Sequence, residues 1–251
     1  MTPPRRALGL SMAALAGVLL CAPGVHAQRA TSEPHSDEEH IGPSPRTLVR
    51  PHGAAEAGVG LLTLPGAEVC VDVTQGCVSG DTSLELHAWQ LYRANVDLAF
   101  GAGLTLALTP STDAPREDPP GVPRDHARRY FLVEATARYY AVVSRSVESW
   151  LGIMTGLVVI SDRFTPQDPE SDKALVGPPG VTIRTEGYSL ALGGGAAFAL
   201  APNWSLGTSL RVGTWFLPEE PAESPLGDEA SLAGRITMFD IGVNVAYRLN
   251  L

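Results

Sequence analysis

From Arg235 to Leu251 the chain alternates: Phe239, Ile241, Val243, Val245, Tyr247, Leu249 and Leu251 share one parity, and Asp240, Gly242, Asn244, Ala246, Arg248 and Asn250 share the other. A period of two marks a β-strand with one apolar and one polar face. The device recurs upstream over 96–108, 131–139, 188–200 and 204–216, and more weakly over 54–64, 82–92 and 147–160. That makes eight segments. The gaps between them alternate in length. Short ones fall at 93–94, 143–146 and 201–203, and long ones near 65–81, 110–128, 161–181 and 217–234. The long gaps are rich in Pro, Gly, Asp and Glu, the composition of loops. An antiparallel meander with short turns at one end and long loops at the other is the layout of a membrane barrel, and an even strand number agrees. The pattern predicts an all-β fold, an eight-stranded antiparallel up-and-down transmembrane β-barrel over residues 53–251.

Alternation does not by itself say which face is inside. In a soluble lipocalin-like barrel the Leu and Phe positions would turn inward and Lys, Glu, Gln and Thr would meet water. Here the second face is mostly Gly, Ala and Ser with a few charges. Small residues suit a crowded bore, and eight strands leave an interior just wide enough for side chains to fill. Lipid therefore lies outside. On this parity Glu56, Glu85, Asp97, Glu134 and Asp240 point inward, with Arg138, Arg211 and Arg248 to pair with them. The mixture of signs matters because an unpaired charge in a bore is costly. Tyr92, Tyr130, Trp204, Phe216 and Tyr247 stand near strand ends, where aromatic girdles belong.

The N-terminus sets the compartment. Arg5 and Arg6, an apolar stretch from Ala7 to about Pro23 and the run Val25-His26-Ala27 describe a signal peptide over residues 1–27. Leu20 before Cys21 is too large for a lipidation site. Residues 28–52 are polar and unpatterned and read as a disordered periplasmic tether. Removing the leader takes away two arginines and no acid, so the formal net charge of −9 becomes −11. An acidic chain argues against nucleic acid as a partner, since phosphate binding needs a basic surface. An exported barrel of this kind belongs in the outer membrane of a Gram-negative-type bacterium, with outer-membrane lipid as its surroundings and a monomer as its expected state.

Few constellations offer chemistry. Cys70 and Cys77, in the first long gap, are expected to form a disulfide in an oxidising compartment. Ser83, Glu85 and His87 lie along one strand face, and Ser with His would suit a lipid A-modifying enzyme. Positions two apart on a strand are roughly 6–7 Å apart, beyond hydrogen-bond reach, so a bore histidine in a polar network is the better reading. Arg124, Arg128 and Arg129 form the basic cluster near the second long loop and are candidates for lipopolysaccharide contact, since Arg binds phosphate bidentately. Glu219, Glu220, Glu223, Asp228 and Glu229 make the fourth loop a solvated acidic one. No cofactor or metal is called for.

With these eight segments in place, the chain resembles the OmpA/OmpX-type family of small outer-membrane β-barrels, over about residues 54–251 and without a peptidoglycan-binding domain after the barrel. The terminal Tyr247-x-Leu249-x-Leu251 resembles the C-terminal signal that the barrel-assembly machinery recognises, though it ends in Leu rather than the usual Phe. The resemblance also implies an interior Glu/Arg network, matched in kind by Glu134 and Arg138. The expected function is that of a non-enzymatic barrel with a filled bore and long external loops, in envelope structure or surface interaction. The alternatives are a lipid A-modifying barrel and a soluble periplasmic lipocalin-like binder.

Overall fold

A computed structural model describes residues 51–72, 76–108, 112–113, 124–166, 180–223 and 230–249, with side chains omitted at 68–79, 112–113, 124–125 and 166. The strands are β1 (His52–Asp72), β2 (Gly76–Arg93), β3 (Leu98–Leu108), the two-residue β4 (Thr112–Asp113), β5 (Arg124–Val143), β6 (Val147–Pro166), β7 (Val181–Ala201), β8 (Trp204–Phe216) and β9 (Arg235–Leu249). Eight of them are long, and each long strand pairs antiparallel with the next, β3 passing directly to β5. β9 returns to β1 from Gly53↔Leu249 to Thr63↔Phe239, so the sheet closes into a ring. The fold is the all-β up-and-down barrel that the alternation predicts.

The strands run further than the apolar alternation does. β1 and β2 continue through the expected first loop to Asp72 and Gly76, β5 starts at Arg124, and β6 reaches Pro166. A ladder needs only backbone partners, so pairing persists where outward side chains no longer need to be apolar. The short gaps are tight turns. Asn95 Oδ1 accepts from the amides of Asp97 and Leu98 at 2.9 and 2.8 Å, and Ser144 Oγ accepts from the Val147 amide at 3.0 Å. The expected leader lies outside the described residues, as does the tether up to residue 50. His52, at its expected end, is the buried first residue of β1.

The faces divide as the parity demands. Val59, Leu61, Phe100, Leu104, Val133, Leu157, Leu192, Ile241 and Val243 stand exposed on the outer wall, 42–61 % in relative terms. The core is the bore itself, filled by Leu62, Leu64, Trp89, Leu132, Trp150, Met154, Trp215 and Met238. Crowding explains the small inward residues. A Cβ on Gly58 would collide with His87, one on Gly207 with Asn244, and one on Gly195 with the Trp150 indole. Tyr92, Trp204 and Tyr247 face outward at the short-turn end, joined there by Tyr139, and the Trp204 and Tyr247 rings lie 4.9 Å apart. Phe216 faces outward at the other end. Tyr130 corrects the expectation of a girdle residue: it shares the parity of Leu132 and Glu134 and is fully buried in the bore against Trp215.

Candidate functional site: arginines stacked down the bore

Four arginines lie one below another inside the ring, each reaching across it to acids on other strands. At mid-height Arg211 on β8 donates to Glu134 on β5 at 2.9 Å, to Glu85 on β2 at 2.7 Å and to Asp240 on β9 at 2.8 Å. β2 and β5 stand on opposite sides of β8 in the ring, so this one guanidinium ties two walls together. Ser189 Oγ donates to the second Glu134 oxygen at 2.8 Å, and His87 Nδ1 lies 3.0 Å from Glu85. Every side chain in this layer is almost fully buried.

Toward the short turns, Arg138 on β5 donates to both oxygens of Glu56 on β1 at 2.9 Å, its guanidinium 4.1 Å from the Trp150 ring centroid. Below it Arg93 donates to Glu148 at 2.8 Å and to the Val96 carbonyl at 2.6 Å, and stacks 3.8 Å over Tyr140. Guanidinium over an aromatic face is a favourable arrangement. This end holds a cavity of about 320 Å³, lined by Glu56, Arg93, Tyr140, Glu148, Trp150 and Asn244 among others.

Toward the long loops, Arg128 donates to Asp81 at 3.0 Å, to Asp162 at 3.3 Å and to the Tyr130 hydroxyl at 3.3 Å, and Tyr130 in turn donates to Asp81. Asp162 also lies 2.7 Å from His126 Nε2, and His126 stacks on Phe164 at 4.6 Å. The same carboxylate holds the fourth loop, accepting from the Ser231 hydroxyl at 2.6 Å and its amide at 3.1 Å. Ala230 and Ala222 pack with Phe164 and Ile183, and Leu217 and Leu232 join the bore core. The described parts of this loop, 217–223 and 230–234, therefore fold inward over the end of the bore. Gly234 closes its base with φ +71, a conformation that favours glycine, donating to the Pro218 carbonyl at 2.7 Å.

Several expected site residues come together, and others do not. Glu56, Glu85, Glu134, Arg138, Arg211 and Asp240 all meet in the bore. Asp97 falls in the turn before β3 and is exposed, because β3 begins only at Leu98. Arg248 keeps the inward parity but lies exposed at the rim, where the ring ends. Of the three arginines assigned to lipopolysaccharide, Arg128 points into the bore, Arg129 faces outward, and the Arg124 side chain lies outside the described set. Ser83, Glu85 and His87 all face the bore, and His87 Nδ1 lies 3.0 Å from Glu85. This corrects the expectation that positions two apart on a strand are beyond hydrogen-bond reach: long side chains can lean along the strand toward one another. Cys70 and Cys77 are opposite one another in the β1–β2 register, with side chains outside the described set. Tyr247 and Leu249 face outward, and Leu251 is outside the described residues. Arg93, Asp81, Glu148, Asp162 and His126 are network members that the sequence reading missed. Their signal was available: each keeps the inward parity of its strand.

In sequence, no family model and no curated protein matches the chain. Solved structures do match in fold. Neisserial surface protein A aligns with a TM-score of 0.50 and 14% identity over 78% of this chain and 96% of its own. The attachment invasion locus protein Ail of Yersinia pestis, solved with the heparin analogue sucrose octasulfate, aligns at 0.43 with 16% identity over 80% of this chain and all of its own. The outer membrane protease OmpT of Escherichia coli aligns at 0.39 with 7% identity over 79% and 97%. The architecture is that of the small outer-membrane β-barrels.

Proposed function

We propose that this protein is a non-enzymatic integral barrel of the bacterial outer membrane, serving envelope structure or surface interaction, with its long-loop end facing outward. One observation carries the reading: a closed ring presents an apolar belt on its outer wall while its polar groups pair with one another inside. A water-soluble barrel would reverse those faces. The bore is a filled interior rather than a channel, with Arg211 and its three carboxylates crossing it at mid-height. His87 turned inward and bound to Glu85 argues for structure rather than lipid chemistry. The run ending Tyr247-x-Leu249-x-Leu251 is the proposed signal for the assembly machinery.

The test is migration of the membrane-extracted protein on an SDS gel, unboiled against boiled, together with fractionation. A heat-dependent shift with the protein in the outer-membrane fraction is expected. Identical migration with recovery in the soluble fraction would overturn the reading in favour of a periplasmic binder.

A further inference from the structure

On the described strands, charge on the outer wall is confined to one end. Among the described strand residues the outward-facing charges are Arg129, Arg163, Arg184, Glu186 and Arg235, and all five lie at the long-loop end. Three of them adjoin. Arg129 on β5 pairs with Ser161 on β6, which pairs with Arg184 on β7. One row further out, Arg163 pairs with Ala127 on one side and Thr182 on the other. Adjacent strands are about 4.8 Å apart, so the backbones of Arg129 and Arg184 lie about 10 Å apart with a serine between them. Ala127, Arg129, Ser161, Arg163, Gly180 and Thr182 line a shallow depression in the wall. Glu186 stands one row nearer the belt and offsets part of this charge, leaving the patch positive on a chain of net charge −9.

The height of the patch decides what it meets. On β5 the outward rows from Phe131 to Tyr139 are Phe131, Val133, Ala135, Ala137 and Tyr139. Four steps of about 6.8 Å at a tilt of roughly 40° rise about 21 Å, close to the ~25 Å apolar band of a transmembrane barrel. Arg129, the next outward residue up on β5, lands in the headgroup layer, which adds roughly 5–8 Å to each side of the hydrocarbon, and the strand tilt offsets Arg184 from it by about 6 Å in height. In register, the row directly beneath Arg129–Ser161–Arg184 is Phe131–Val159–Glu186, and on β5 and β6 Phe131, Val133 and Leu157 offer an apolar surface to acyl chains beside that one carboxylate. Guanidinium groups bind phosphate bidentately, and Ser161 and Thr182 add hydroxyl donors. Patch and belt together match a ligand with phosphate at the top and acyl chains below.

We propose that Arg129, Arg163 and Arg184 form a wall site for the phosphate groups of an acylated glycolipid in the outer leaflet. The site replaces the expected Arg124/Arg128/Arg129 cluster, since Arg128 is spent inside the bore. It rests on the outer-membrane reading, which the gel shift tests separately.

The experiment uses the folded full-length mature chain in zwitterionic detergent, with folding verified by heat-dependent migration for every variant. Lipid A, its dephosphorylated form and inorganic phosphate are the probes. Lipid A should bind, the dephosphorylated form should bind at least tenfold more weakly, and inorganic phosphate should compete only weakly because it lacks acyl chains. The triple variant R129Q/R163Q/R184Q should lose at least tenfold in lipid A affinity. Arg145→Gln, in the turn at the opposite end, should lose nothing. Equal lipid A affinity in the triple variant, or no preference for the phosphorylated form, would overturn the site. Strong competition by inorganic phosphate would overturn its assignment to a lipid.

Discussion

Arg211 and Arg93 make the same kind of ion pair at two heights of one bore, and their surroundings set them apart. Arg211 meets three carboxylates whose side chains are 0–1 % exposed. Arg93 meets one, Glu148, whose side chain is 23 % exposed beside the cavity at the short turns. The difference lies in what the acid can do when its partner is removed. Glu148 can take up water, whereas Glu85, Glu134 and Asp240 would be left as charges in a packed interior. Ion-pair distance alone, 2.8 Å at Arg93 and 2.7–2.9 Å at Arg211, would not have separated them.

The contrast can be broken by substitution. Arg211→Leu should cost roughly 3–5 kcal/mol of barrel stability, read as the urea midpoint of the folded protein in detergent or vesicles. An unchanged midpoint would mean that water reaches mid-bore. Arg138→Leu should cost about 2–3 kcal/mol, since Glu56 is 11 % exposed and part of its hydration is recoverable. Asp162→Asn should cost about 1–2 kcal/mol and loosen the fourth loop, so that protease cleaves within 217–234 in the folded variant and spares the native barrel. Arg93→Leu should cost no more than about 1 kcal/mol, in the range of pairs open to solvent. A loss as large as that at Arg211 would erase the distinction between the two heights.

The smallest expected effect is at the tip of the first hairpin. Residues directly opposite in an antiparallel ladder have Cα atoms ~4.5–5.5 Å apart, within disulfide range, and Cys70 and Cys77 are such a pair. Thiol titration of unreduced protein comprising residues 28–251 should find no free thiol. Reduction should leave the unfolding midpoint nearly unchanged, because the bond staples a short hairpin tip remote from the packed bore.

The alternation made the ring legible because the two faces differ: the outward positions are apolar around the belt, and eight strands leave room inward for side chains of limited size. Glu134, Arg138 and Arg211 were placed by parity alone. Their partners were harder to assign, because partners across the bore are set by ring closure and strand stagger, which no local pattern encodes. Asp81, Arg128 and Asp162 were read as loop residues because their neighbours no longer alternate apolar and polar. Beyond the lipid belt only the inner face stays constrained, so a two-sided test fails while a one-sided test would have succeeded. Asp97 failed for the opposite reason: parity was extended into a turn where Asn95 takes over the backbone.

The closure between β1 and β9 has a consequence for the order of assembly. It is the pairing between the parts of the ring most distant in sequence, and until it forms both strands are open edges able to pair with other chains. One of the mid-bore contacts depends on it. Arg211 can reach Asp240 within the β8–β9 hairpin, but Glu85 lies three strands away, across the β9–β1 seam. In an open sheet that carboxylate has no guanidinium within reach. This part of the polar layer therefore works as a latch, stabilising the ring only once its two ends have met, and an assembly path that delayed this meeting would leave a buried acid waiting for its cation.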